Sequence, residues 1–85
     1  MRSRWAAISA DVEWHAGHRG FERPVAMRVS GTRVELTVES SSCVGHPVAG
    51  RPAQRVFIVR DSDGRRLRIQ VSADGRTKVE VETSG

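Results

Sequence analysis

Several things are nearly absent from this 85-residue chain, and each absence removes a class of protein. Cysteine occurs once, at Cys43, so no disulfide can form within the chain. A disulfide-stapled secreted miniprotein is thereby excluded, and a single thiol suits a reducing compartment. No apolar run approaches the roughly 20 residues of a membrane-spanning helix. The start, Met1-Arg-Ser-Arg-Trp-Ala-Ala-Ile-Ser, also falls short of the apolar stretch of about 7–15 residues that a secretory signal needs. These readings point to a cytoplasmic protein without a membrane partner. Aromatics number four, Trp5, Trp14, Phe21 and Phe57, and tyrosine is missing. Lysine is missing too, apart from Lys78; the other 13 basic residues are arginine.

What remains is a small, arginine-rich chain with 38% hydrophobic and 28% charged residues and a formal net charge of +4. A domain this small buries only about 60–65% of the surface its unfolded form exposes, so its core must be lean. The length predicts one domain over residues 1–85, with residues 1–7 as a flexible N-terminus. A net +4 permits an acidic partner, nucleic acid or protein, without requiring one.

Period 2 dominates the hydrophobic pattern. Ile8, Ala10, Val12 and Trp14 alternate with polar residues, as do Val25, Met27 and Val29, then Val34, Leu36 and Val38, then Leu67, Ile69 and Val71, and finally Val79 and Val81. Alternation of this kind places apolar side chains on one face of a strand. Val56-Phe57-Ile58-Val59 is apolar on both faces and reads as the central strand. The spacing predicts strands near 8–15, 24–30, 32–40, 54–61, 65–72 and 77–83, and at most one helical turn within residues 2–10. Ser30-Gly31, Asp61-Ser-Asp-Gly64 and Ala73-Asp-Gly75 are hairpin signals. Residues 40–53, rich in serine, glycine and proline, read as a long irregular loop. The fold class that follows is all-β: a small antiparallel meander of five to six strands, closing as a bent sheet or an SH3-like half-open barrel that hides its edges. The last strand, 77–83, reads as an edge open to another copy, discouraged by Lys78, Glu80 and Glu82, which makes the chain a monomer or a weak dimer.

Two constellations carry possible chemistry. His15-Ala-Gly-His18 and Cys43-Val-Gly-His46 each have the two-residue spacing of a metal knuckle, and four N/S ligands make a tetrahedral zinc set. Bound zinc would staple the loops of a small core. Cys43 and His46 could also form a thiolate pair, but no third group, oxyanion hole or pocket accompanies them, and the chain reads as no enzyme.

The second constellation is arginine. Residues 51–76 hold seven Arg and three Asp, equal to the whole net charge. Arg60, Arg65, Arg66 and Arg68, with Arg28 and Arg33 beside the Ser-Gly turn, would make a basic face able to follow a phosphate backbone. Stacking of bases would need exposed aromatics, and only Trp5 and Phe21 qualify. The competing reading is that these arginines fill solvent-facing strand positions and are balanced across strands by Glu35, Glu39, Glu80 and Glu82.

Three segments carry a resemblance: residues 12–27, Gly31-Thr-Arg33-Val-Glu-Leu, and residues 56–64. Through Gly17, Gly20, Glu22, Pro24, Gly31, Arg33, Asp63 and Gly64, residues 10–82 resemble short bacterial cytoplasmic all-β proteins of unknown function. That resemblance implies a small cytoplasmic β domain without an assigned activity. His18 stands where those proteins carry an aromatic in the glycine-rich loop, and Met27 replaces an aromatic on the second strand. Together these readings predict a binding or accessory module whose partner is an unknown protein. A nucleic-acid-binding barrel and a zinc-stapled domain are the alternatives.

Overall fold

In the computed structural model, which describes residues 4–16, 22–44, 54–72 and 74–83, the chain forms seven strands. They are β1 (Arg4–Ile8), β2 (Asp11–Ala16), β3 (Glu22–Val29), β4 (Thr32–Val44), β5 (Gln54–Asp61), β6 (Arg66–Ser72) and β7 (Thr77–Thr83). All pairings are antiparallel, in the order β1-β7-β6-β5-β4-β3-β2. From β2 to β7 this is a meander. β1 then turns the meander back on itself, because it pairs with β7 although it adjoins β2 in the chain. The two edge strands of the sheet are thus joined by Ser9 and Ala10 alone. A link of two residues spans only about 10 Å, so the sheet must curl until its edges nearly meet, giving a half-barrel.

β4 makes the opposite corner. Its first four residues pair with β3, and residues 36–44 pair with β5. The chain therefore holds two sheet segments, β2-β3-β4 and β4-β5-β6-β7-β1, with the core between them. Met27, Val34, Phe57, Val59, Leu67, Ile69, Val71 and Val79 are buried there. Ile8, Ala10, Val12 and Trp14 pack against that cluster from the β1–β2 corner. The alternation of these four residues survives the corner even though the strand does not. Trp14 meets Phe57 edge to face at 5.6 Å, an arrangement that aromatic quadrupoles favour.

The turns follow their sequences. Ser30 and Gly31 both have positive φ, 52° and 80°, as the two-residue hairpin matching strand twist requires. The β5–β6 hairpin is organised by Asp61. Its carboxylate accepts hydrogen bonds from the Asp63 and Arg65 amides at 2.9 and 2.8 Å and from Arg65 Nε at 2.8 Å. Gly64, at φ 85°, supplies the left-handed step. Pro24 sits beside a bulge: Glu13 pairs with Ala26 and Trp14 with Pro24, leaving Val25 as the extra residue. Bulges are where a strand accommodates a residue without an N–H.

Three expectations change. The N-terminal segment contains a strand, β1, rather than a helical turn: Arg4 to Ile8 pair residue by residue with Thr83 to Val79. β7 is therefore an interior strand, between β1 and β6, and not the open edge expected from sequence. The strand expected to stop at residue 40 runs on through Ser40, Ser41 and Ser42, which pair with Ile58, Phe57 and Val56. Serine has little strand preference of its own, so the apolar partner strand decides.

Candidate interaction site

The outer surface is built from carboxylates held between pairs of cations. Arg28 and Arg33 stand directly opposite each other on β3 and β4. Like charges in that position repel, and Glu13 of β2 lies between them, 3.7 Å from Arg28 Nε and 3.0 Å from Arg33 Nε. Arg33 also reaches Glu35 at 3.8 Å. The arrangement recurs on the other segment. Arg60 and Arg66 are opposite on β5 and β6, and Glu39 of β4 binds both, at 3.0 and 3.4 Å. Arg66 reaches Glu82 at 3.6 Å.

A third such group is buried. Glu80 of β7, its side chain 9% exposed, takes Arg68 Nε and Nη2 on one oxygen at 2.9 and 2.8 Å, with Lys78 3.8 Å from the other. Gln70 donates to the same Glu80 oxygen at 2.8 Å and accepts from Gln54 at 2.8 Å. Burial pushes the Glu80 carboxyl upward, but the Arg68 and Lys78 charges and the hydrogen bonds outweigh it and hold the group below the usual range. The Arg68 guanidinium also lies 4.6 Å from the Trp5 ring centroid. This cation–π contact ties β1 to the sheet.

All six sequence-nominated arginines are accounted for here. Arg28, Arg33, Arg60, Arg65, Arg66 and Arg68, together with Lys78, make seven cations that meet six carboxylates: Glu13, Glu35, Glu39, Glu80, Glu82 and Asp61. Arg28 and Arg33 lie on the β2-β3-β4 segment, Arg60, Arg66 and Arg68 on the other, and Arg65 at the β5–β6 turn. The partners Glu13 and Asp61 were not evident from sequence alternation. Glu13 acts across two strands, and Asp61 acts within its own turn.

Of the knuckle residues, His15 is exposed on β2 opposite Arg23, and Cys43 pairs along the backbone with Arg55. His18 and His46 lie outside the described residues. Among the described residues no three His, Cys, Asp or Glu side chains gather as a metal set. Phe21 is likewise outside them, and Trp5 is half-buried under Arg68. No described helix is long and apolar enough to cross a membrane.

The remaining feature is an edge. Beyond residue 35, β4 pairs with β5 on one side, and among the described residues no strand pairs with it on the other. About half of the N–H and C=O groups of residues 36–44 point away from β5, as the antiparallel ladder requires. Residues 39–42, Glu39-Ser40-Ser41-Ser42, are all exposed. Glu39 is the one charge in the stretch, and it is the extra residue of a bulge between Val38 and Ser40.

Against known proteins, no family model, no curated protein and no solved structure matches. Of the residues that carry the resemblance noted from sequence, two glycines have a local explanation in the hairpins. Gly31 and Gly64 sit at positive φ, where glycine is the residue any unrelated hairpin would choose.

Proposed function

We propose that this chain is a protein-interaction module, a binding rather than a catalytic domain, that accepts an extended segment along the free edge of β4. The observation that carries this reading is the edge itself. Proteins usually guard open edges with lysine, proline, inward-pointing charge or a bulge, and of these the edge has only the bulge at Glu39. Residues 36–44 contain no lysine or proline, and their single carboxylate is held by Arg60 and Arg66. Small hydroxyl side chains leave the backbone accessible, and strand addition draws its affinity from main-chain hydrogen bonds.

The basic-face alternative finds less support. A phosphate would have to displace a carboxylate from each nominated arginine.

Selection of displayed random peptides of about ten residues, the length of a long natural strand, tests the reading. Selected peptides are expected to shift the amide resonances of residues 36–44. Selected peptides whose shifts fall wholly elsewhere would overturn it.

A further inference from the structure

Resting on the strand-addition reading, we infer that the segment fitting this edge is the same edge of a second copy, paired antiparallel about Ser41. Three observations select a copy of this chain.

The first is facing. Ser41 is opposite Phe57 and shares its core-side row, while Ser40 and Ser42 are opposite Ile58 and Val56 on the outer face. Antiparallel partners lie on the same face of a sheet, so register decides which rows meet. A two-fold axis at Ser41 sets Ser40 against Ser42 of the copy, outer against outer, and Ser41 against Ser41. The row order of both half-barrels then continues across the junction.

The second is charge. Glu39 is the one ionised side chain within residues 36–44. In this register the two Glu39 residues are offset by four strand positions, about 13 Å. That exceeds the screening length of about 8 Å at physiological ionic strength. Each is also neutralised within its own chain by Arg60 and Arg66, at 3.0 and 3.4 Å. A neutral edge is complemented by a neutral strand, and an acidic or basic segment would gain nothing here.

The third is size. The central pairs are serine on serine, which form favourable cross-strand hydrogen bonds and bring no steric barrier. The joined structure would be one continuous sheet with its central edge removed.

Sedimentation of the full chain with a reductant present, so that Cys43 cannot supply a covalent dimer, tests the inference. An interface of one strand pair is small and therefore weak, so the protein is run from about 10 μM to about 1 mM. The weight-average mass is expected to rise from 9.4 kDa toward twice that value. S40K/S42K is expected to remain at the monomer mass throughout with an unchanged circular dichroism spectrum, because the lysines would face each other across the two-fold. S40E/S42E serves the same purpose if the lysine variant folds poorly. A wild-type chain that stays monomeric to the highest concentration overturns self-pairing, and peptide selection then stands as the separate test of the edge. Dimerisation that persists undiminished in a folded S40K/S42K or S40E/S42E variant also overturns it, by placing the interface elsewhere.

Discussion

Arg60 donates from Nε to Glu39 Oε2 at 3.0 Å, and Arg66, directly across the ladder from Arg60, approaches the other Glu39 oxygen at 3.4 Å. One carboxylate thus separates two opposed arginines and is itself neutralised at the strand edge where a charge would otherwise deter a partner. The same construction, Arg28–Glu13–Arg33, closes the outer face of the β2-β3-β4 segment. Arginines that look in sequence like a basic surface therefore act as ties between neighbouring strands.

These ties differ in depth, and their substitutions should differ accordingly. Arg28→Ala removes one half-exposed contact at 3.7 Å and is expected to cost under about 1 kcal/mol. Arg68→Ala leaves the buried Glu80 without its main partner and should cost about 3 kcal/mol. It also frees Trp5 from its guanidinium, so a red shift of tryptophan emission should accompany the loss. Denaturant titration of both variants beside the wild type measures the contrast; equal losses would contradict it.

Acid should weaken the fold through Glu80. Its folded pKa is depressed below the ordinary value of 4.5. The stabilisation is therefore present in full above that ordinary value and is lost as pH falls through the depressed one. Asp74, lowered by the Ser72 hydroxyl and the Arg76 amide, acts in the same direction. Unfolding midpoints measured from neutral pH down should stay level and then decline below the ordinary glutamate range. Glu80→Gln should flatten part of that decline while lowering stability at neutral pH.

The hairpin glycines offer a backbone test. A Cβ at Gly64 or Gly75 would meet nothing within 4 Å, so the cost of alanine there is conformational alone, about 1 kcal/mol each. Asparagine, which tolerates positive φ, should recover part of it. Thermal melts of the four single variants check this, and a neutral alanine would contradict the turn geometry.

Asp61→Ala should cost more than either glycine substitution. It leaves the Asp63 and Arg65 amides and the Arg65 guanidinium without their shared acceptor. A loss of about 2 kcal/mol is expected from groups of this kind. It would be read as a shift in denaturant midpoint.

The strands between residues 22 and 83 were legible because alternation and turn chemistry agree there. Val34, Leu36 and Val38 read as one face, and Ser30-Gly31 as the turn that feeds it. β1 was not legible. Trp5-Ala6-Ala7-Ile8 has no alternation, and its place is decided by β7, more than 70 residues away in the chain. The extension of β4 was hidden for a related reason: three serines carry no period, and only pairing with Val56, Phe57 and Ile58 orders them. The site suffered most. Arginine positions could be read, but which glutamate faces which arginine depends on register, and register is a property of two strands at once. Likewise, a free edge becomes visible only when the neighbour of every strand is known.

Amide hydrogen exchange along β4 in dilute protein tests the central claim most directly. A strand paired on one side alone should show alternating behaviour over residues 36–44: amides directed at β5 protected, those directed at the free edge exchanging quickly. That alternation should fade as a paired strand covers the edge. Uniform protection of these residues in the dilute monomer would mean that the edge is already covered, and would contradict the account.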